Sequence, residues 1–253
     1  MRLPAIRPMT PADADPLSAA FLREDWGDRR LTLDFVSRHP QTRGFVADAD
    51  GVVVGSAVAC LNGPVAWIGT VWVEADWRRR GIGMALTEAA IDAANDAGCR
   101  TLLLVATDAG RRLYEKIGFE VQTTYRVLEA AGLGERPSDP RIRPYRPGDL
   151  PTMAALASAA TGEDRTHLVQ AFASASTTQC LTRDDGALGG FVVRAPWGGG
   201  QTIAPRLDDA VALLEHRRSG RPAAERVRAG LVAENVAGLE RLAANGWTEA
   251  WHA

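Results

Sequence analysis

A chain of 253 residues, 46% apolar and 24% charged, has room for one large globular domain or two small ones. Its formal net charge of −2 at pH 7 excludes a bulk attraction to nucleic acid or to an anionic membrane. Lys116 is its single lysine, so Schiff-base chemistry is excluded over most of the chain.

In chain order, "MRLPAIRPMTPADAD" is broken by prolines and aspartates before any apolar core forms, and does not read as a secretory signal. Ile6 and Arg7 open a short strand that Pro8 ends, and Thr10 or Asp13 is placed to cap a helix through Leu17 and Phe21. A second helix is expected over Leu31 to Val36. Between them lies a charged loop with Glu24, Asp25, Trp26 and Asp28. Phe45 to Asp48 reads as a strand turned by Asp50-Gly51. Val52 to Val73 lacks charge for long enough to span a bilayer, but Asn62, Gly63 and Pro64 interrupt it. Two buried hairpin strands, Val52–Cys60 and Val65–Val73, are the better reading, with no membrane contact.

An arginine–glycine turn follows, then a helix from about Gly81 to Ala97, ended by Gly98. "TLLLV", Thr101 to Val105, reads as a fully buried strand because both faces are apolar. A short helix over about Gly110 to Ile117 ends at Gly118, and Phe119 to Leu128 is expected to be a long strand. The Gly/Pro/Ser-rich stretch from Glu129 to Pro140 reads as a linker, giving domains at 1–130 and 141–253 separated by 131–140.

After that stretch the chain repeats itself. "IRPMTPAD" from Ile6 returns as "IRPYRPGD" from Ile142. "GVVVGSAV" from Gly51 returns as "GALGGFVV" from Gly186, and "LYEKIGF" ending at Phe119 as "RLAANGW" ending at Trp247. Three echoes in one order at a nearly constant offset argue for two copies of one fold. The three cysteines, Cys60, Cys99 and Cys180, are few and far apart, which points to a reducing, cytoplasmic setting without a disulfide framework. The four histidines are scattered singly, so no metal is expected.

Two stretches carry chemistry. "VWVEADWRRRGIG", Val71 to Gly83, reads as strand, turn and helix start. The unpaired N–H groups of a helix start, glycines that admit a close approach, and Arg78, Arg79 and Arg80 together make an anion site. It is neither the dinucleotide fingerprint nor a Walker loop. The spacing of Arg78, Gly81 and Gly83 resembles the acyl-coenzyme A pyrophosphate loop of the GNAT N-acetyltransferase superfamily. Downstream, "TDAGRRLYEKIGF" resembles that family's last block in Leu113, Tyr114, Glu115, Lys116, Gly118 and Phe119, while Thr107 and Gly110 replace the usual asparagine and alanine. The resemblance covers Arg2 to Leu128.

The resemblance implies an α/β fold, a mixed, mostly antiparallel sheet flanked by helices, present as tandem GNAT copies. It implies transfer of an acetyl group from acetyl-CoA to an amine of a small molecule or a protein. The pyrophosphate would meet the backbone of Arg79, Arg80, Gly81, Ile82, Gly83 and Met84. Pantetheine would pair with Val71, Trp72 and Val73, and Thr107 and Gly110 would lie on the cofactor side. Tyr114 is implied as the general acid. Glu74 and Asp76 are open as bases acting through water, or as partners of the arginines. Glu24, Asp25 and Trp26 either receive a cationic acceptor or form an ordinary charged turn.

The second copy is expected to be degenerate. Near Thr202 to His216 the loop glycines are gone, and Asp208 and Asp209 put negative charge at the helix start. Leu242 stands at the tyrosine position. An enzyme is one reading; a non-catalytic acyl-CoA sensor or scaffold is the other. A monomer with an internal pseudo-dimer and a homodimer both remain open.

Overall fold

The computed structural model describes residues 3–136, 139–194 and 200–253. Met1 and Arg2, and Pro137 and Ser138 of the expected linker, lie outside them. The chain divides into two compact units, Met1–Val105 and Ala106–Ala253.

The first unit runs β1 (Ala5–Pro8), α1 (Ala14–Arg23), α2 (Arg30–Arg38), β2 (Thr42–Ala49), β3 (Val52–Asn62), β4 (Val65–Val73), α3 (Ile82–Asp96) and β5 (Thr101–Leu103). The strands form one sheet in the order β1-β2-β3-β4-β5; the first four are antiparallel and β5 lies parallel to β4. Asp50 and Gly51 both have positive φ, at 53° and 90°, as the tight β2–β3 turn requires. Leu17, Phe21, Leu33 and Val36 of the first two helices bury against Val46, Val58 and Trp72 of the sheet. On a strand, neighbours in sequence point to opposite faces, and α3 packs on β2, β3 and β4 with Leu86, Ala90 and Ala94 buried. The alanines let the helix approach closely.

The second unit begins with α4 (Asp108–Lys116) and β6 (Tyr125–Ala131). It continues with β7 (Ile142–Pro144), α5 (Leu150–Thr161), α6 (Thr166–Phe172), β8 (Thr178–Thr182), β9 (Leu188–Arg194), β10 (Gly200–Ile203), α7 (Leu207–His216), β11 (Arg226–Val232), α8 (Val236–Ala244) and β12 (Thr248–His252). One sheet is β10-β9-β8-β7; the other is β11-β6-β12. From β7 onward the element order is that of β1 to β6.

The repeat reaches single hydrogen bonds. Arg7 grips Asp13 through two contacts of 2.9 Å, and Asp13 accepts the Thr10 N–H at 2.7 Å. Arg143 grips Asp149 through two of 2.8 Å, and Asp149 accepts the Arg146 N–H at 2.7 Å. Thr107 and Asn235 each cap a helix by accepting a glycine N–H, from Gly110 and Gly238.

Three expectations need correction. Thr101 to Val105 is not a buried strand: β5 pairs only over Thr101–Leu103, and Thr101 and Val105 are exposed, because β5 is the sheet's edge. The strand expected from Phe119 starts at Tyr125. Glu129 and Ala130 are not linker, since they pair with Arg228 and Val227 inside a sheet. β6 is the central strand between β11 and β12.

Candidate active site

The first unit's site is built where β4 ends and α3 begins. Strand β4 pairs with β5 only at Val65, Ala66 and Trp67. Beyond them, Ile68 to Val73 has its partner on the β3 side alone. A bulge lies within this stretch: between the pairs Ser56↔Trp72 and Val58↔Gly69, Thr70 and Val71 oppose the single residue Ala57. Thr70 takes φ 54°, a strained value for a β-branched residue, and Ser56 Oγ donates to its carbonyl at 2.9 Å. The free edge of a strand offers N–H and C=O groups to any extended chain of amides.

The Trp72 side chain does not face that edge. It is buried in the core, edge-on to Phe21 at 5.7 Å. Val71 and Val73 are half-buried.

The loop then turns through Arg79 and Gly81, with φ of 62° and 81°. Gly81 is the N-cap of α3, no side chain caps the helix, and its first turn carries no acid. Ile82 is buried and anchors the turn, while Gly83 and Met84 are half-buried. An N-terminus left open in this way is a site for an anion. Arg80 donates to the Asp76 carbonyl at 2.7 Å and lies over the Trp77 ring at 5.2 Å.

Arg78 is held from two sides. It donates to the Val73 carbonyl at 2.8 Å and to both oxygens of Glu24 at 2.6 Å. Glu24 thus ties the end of α1 to the end of β4. Glu74 pairs with Arg23 at 3.0 Å. Trp26 stacks on Phe21 at 5.2 Å and stays partly exposed. Asp25 holds φ 59° in the same turn. Asp28 accepts from Arg30 N–H at 2.9 Å and Ser18 Oγ at 2.7 Å, which holds its carboxyl below the usual range.

Thr107, Gly110 and Tyr114 belong to the second unit, on and before α4. Thr107 does the capping expected of an asparagine. A Cβ on Gly110 would lie 3.0 Å from Tyr114 Cε2, so the glycine leaves room for that ring. Tyr114 packs edge-on against Phe119 at 6.1 Å, and burial pushes its phenol above the ordinary value.

At the start of α7 the counterpart of the loop is filled from within. Asp209 is buried and takes Arg141 at 3.3 Å and Arg183 at 3.2 Å. Leu242, at the tyrosine position, is core.

Residues 9–119 match the model of the Acetyltransferase (GNAT) family. Those residues resemble that family, and the fold of the whole is that of a tandem GNAT protein. A curated relative, "Uncharacterized N-acetyltransferase YitH" of Bacillus subtilis (strain 168), is 28% identical over 186 residues. The match spans 69% of this chain and 65% of that relative's length. A putative acetyltransferase from Pyrococcus horikoshii shares the fold at a TM-score of 0.72 and 18% identity, over 98% of this chain and 86% of its own. A tandem GNAT protein from the clavulanic acid biosynthesis pathway does so at 0.65 and 18% identity, over 100% and 98%.

Proposed function

We propose that the chain is an acetyl-CoA-dependent N-acetyltransferase with one working site, formed by the elements of residues 1–130. The observation that carries this reading is the uncapped start of α3, set beside a β4 edge that β5 leaves unpaired. The N–H groups from Arg79 to Met84 bind the pyrophosphate, and the backbone of Val71 to Val73 pairs with pantetheine. Acetyl-CoA supplies an activated acyl group. The acceptor's neutral amine attacks the thioester carbonyl; a C–N bond forms and the C–S bond breaks. Tyr114 gives its phenolic proton to the departing thiolate, and the proton lost by the attacking nitrogen passes through solvent to restore the phenol. Its raised pKa suits the task, because the phenol keeps its proton at neutral pH. Trp26 and the acids around it present one apolar face and negative charge to an amine, small molecule or protein. The second copy, residues 141–253, does not turn over acetyl-CoA.

Tyr114→Phe is expected to lower kcat by about a hundredfold or more, with little change in the dissociation constant for acetyl-CoA. The alkaline limb of the wild-type rate profile should lie above about pH 10. An alkaline fall near neutrality, or unchanged turnover in Tyr114→Phe on every accepted amine, sinks the acid role. Calorimetry of acetyl-CoA on the whole chain should give one site. No binding at all leaves a GNAT-shaped scaffold instead.

A further inference from the structure

The second unit holds a cleft of about 320 Å3 lined by Arg194, Arg217, Arg221, Arg226, Val227 and Arg228. Five guanidinium groups converge there from four places: the end of β9, the end of α7, the loop after it, and β11. Among the described residues, two carboxylates answer them. Glu225 pairs with Arg221 at 2.9 Å, and Glu129 lies 3.6 Å from Arg228. The Nε atoms of Arg194 and Arg217 are buried and have no hydrogen-bond partner among the described residues. An unpartnered buried donor is costly, and a charged one more so.

Burial, with Arg194 and Arg221 alongside, pushes the Arg217 guanidinium down to about 10. The gathered charges therefore work against one another. Arg221 Nε is tied to the Arg217 carbonyl at 2.9 Å, which holds part of the cluster in place. A lone surface arginine would swing into water; these are gathered by the fold.

The cleft is distinct from the phosphate loop and from its filled counterpart. Arg217 closes the C-terminal end of α7, whereas Arg206 and Asp209 sit at its start. The helix is ten residues long, so its two ends lie about 15 Å apart.

We propose that this cleft binds a small anion carrying adjacent phosphate groups, as in free pyrophosphate or the polyphosphate of a nucleotide. Guanidinium forks match phosphate oxygens in pairs, and several forks on one anion suit more than one phosphate. The volume is at the small end of the range for ligand clefts, about 300–1,000 Å3, which favours a small molecule over a polymer. Binding relieves the repulsion and gives the two buried Nε atoms their acceptors.

The test uses the full chain carrying Gly81→Asp, so that the α3 loop is closed to phosphate. Pyrophosphate, orthophosphate, ADP and a single-stranded oligonucleotide are titrated by calorimetry and thermal melting, with ionic strength held constant by sodium chloride. Pyrophosphate should bind at one site and raise the melting temperature saturably. Arg194→Gln and Arg217→Gln should each weaken it by about tenfold or more, and each should melt higher than the parent without ligand. If either variant fails to fold, Arg226→Gln on the exposed face of β11 takes its place, with the same loss of affinity expected. ADP binding tighter than pyrophosphate assigns the site to a nucleotide; the reverse assigns it to the free anion. Stabilisation no greater than that from chloride overturns the proposal, and so does unchanged binding in the variants. An oligonucleotide that binds more tightly than either small anion, and is lost in the same variants, also overturns it.

Discussion

Asp13 and Asp149 show how much one side chain can hold. Asp13 is buried, which alone would raise its pKa, but the bonds from Arg7 and Thr10 outweigh that and hold it below the usual value. Arg143 and the Arg146 N–H hold Asp149 below it as well, against its burial. A carboxylate with a depressed folded pKa contributes stability that is complete above its unfolded value and lost as pH falls through the folded one. Asp13→Asn and Asp149→Asn should each cost on the order of 2 kcal/mol at pH 7. The gap to the parent should close below about pH 4, checked by urea melts across pH. Gly81 makes a different prediction. A Cβ there meets nothing within 4 Å, and aspartate tolerates the left-handed backbone and caps helices. Gly81→Asp should fold, with a melting temperature lowered by the strain of a side chain at φ 81°, yet lose acetyl-CoA binding. The alternation and glycine spacing that mark such positions were legible in the sequence. The pairing of Glu24 with Arg78 was not, because 54 positions separate them and only the meeting of α1 with β4 brings them together.

At the scale of elements, the bulge in β4 matters most. Val65 to Val73 reads correctly as a strand, but nothing in its apolar pattern marks Thr70 as the place of the bulge. Nor does it show that β5 ends at Leu103 and leaves β4 to run on past Trp67. Ser56 is buried, and its hydroxyl is the visible support of the strained Thr70. Ser56→Ala should cost about 1 kcal/mol in a denaturant melt. It should also raise KM for acetyl-CoA more than it lowers kcat, if the β4 edge holds the cofactor. An apolar run predicts burial only when both of its faces are covered, and in the first unit β5 has one neighbour.

For the whole molecule, β6 decides how the chain can be divided. Leu128 and Ala130 sit in a core with Leu214, Val227, Ala229, Leu242 and Trp247. Fragments 1–130 and 141–253, cut where composition suggests, would part that strand from its two neighbours. Each alone should melt without cooperativity, while the mixture should co-elute as a one-to-one complex on size exclusion. Independent folding of 141–253 would refute this.

The sequence by itself determined the likeness to the GNAT family, the doubled element order, the glycine at the start of α3 and the acids Asp208 and Asp209 at the start of α7. These are local patterns, written in spacing, glycine and charge, and a chain carries them wherever it folds. Tertiary structure alone decided which strands pair across the repeat, that Trp72 turns inward, and that five arginines from β9, α7, the loop after it and β11 share one cleft. Those facts rest on contacts between residues far apart in the chain, and such contacts leave no periodic mark on it.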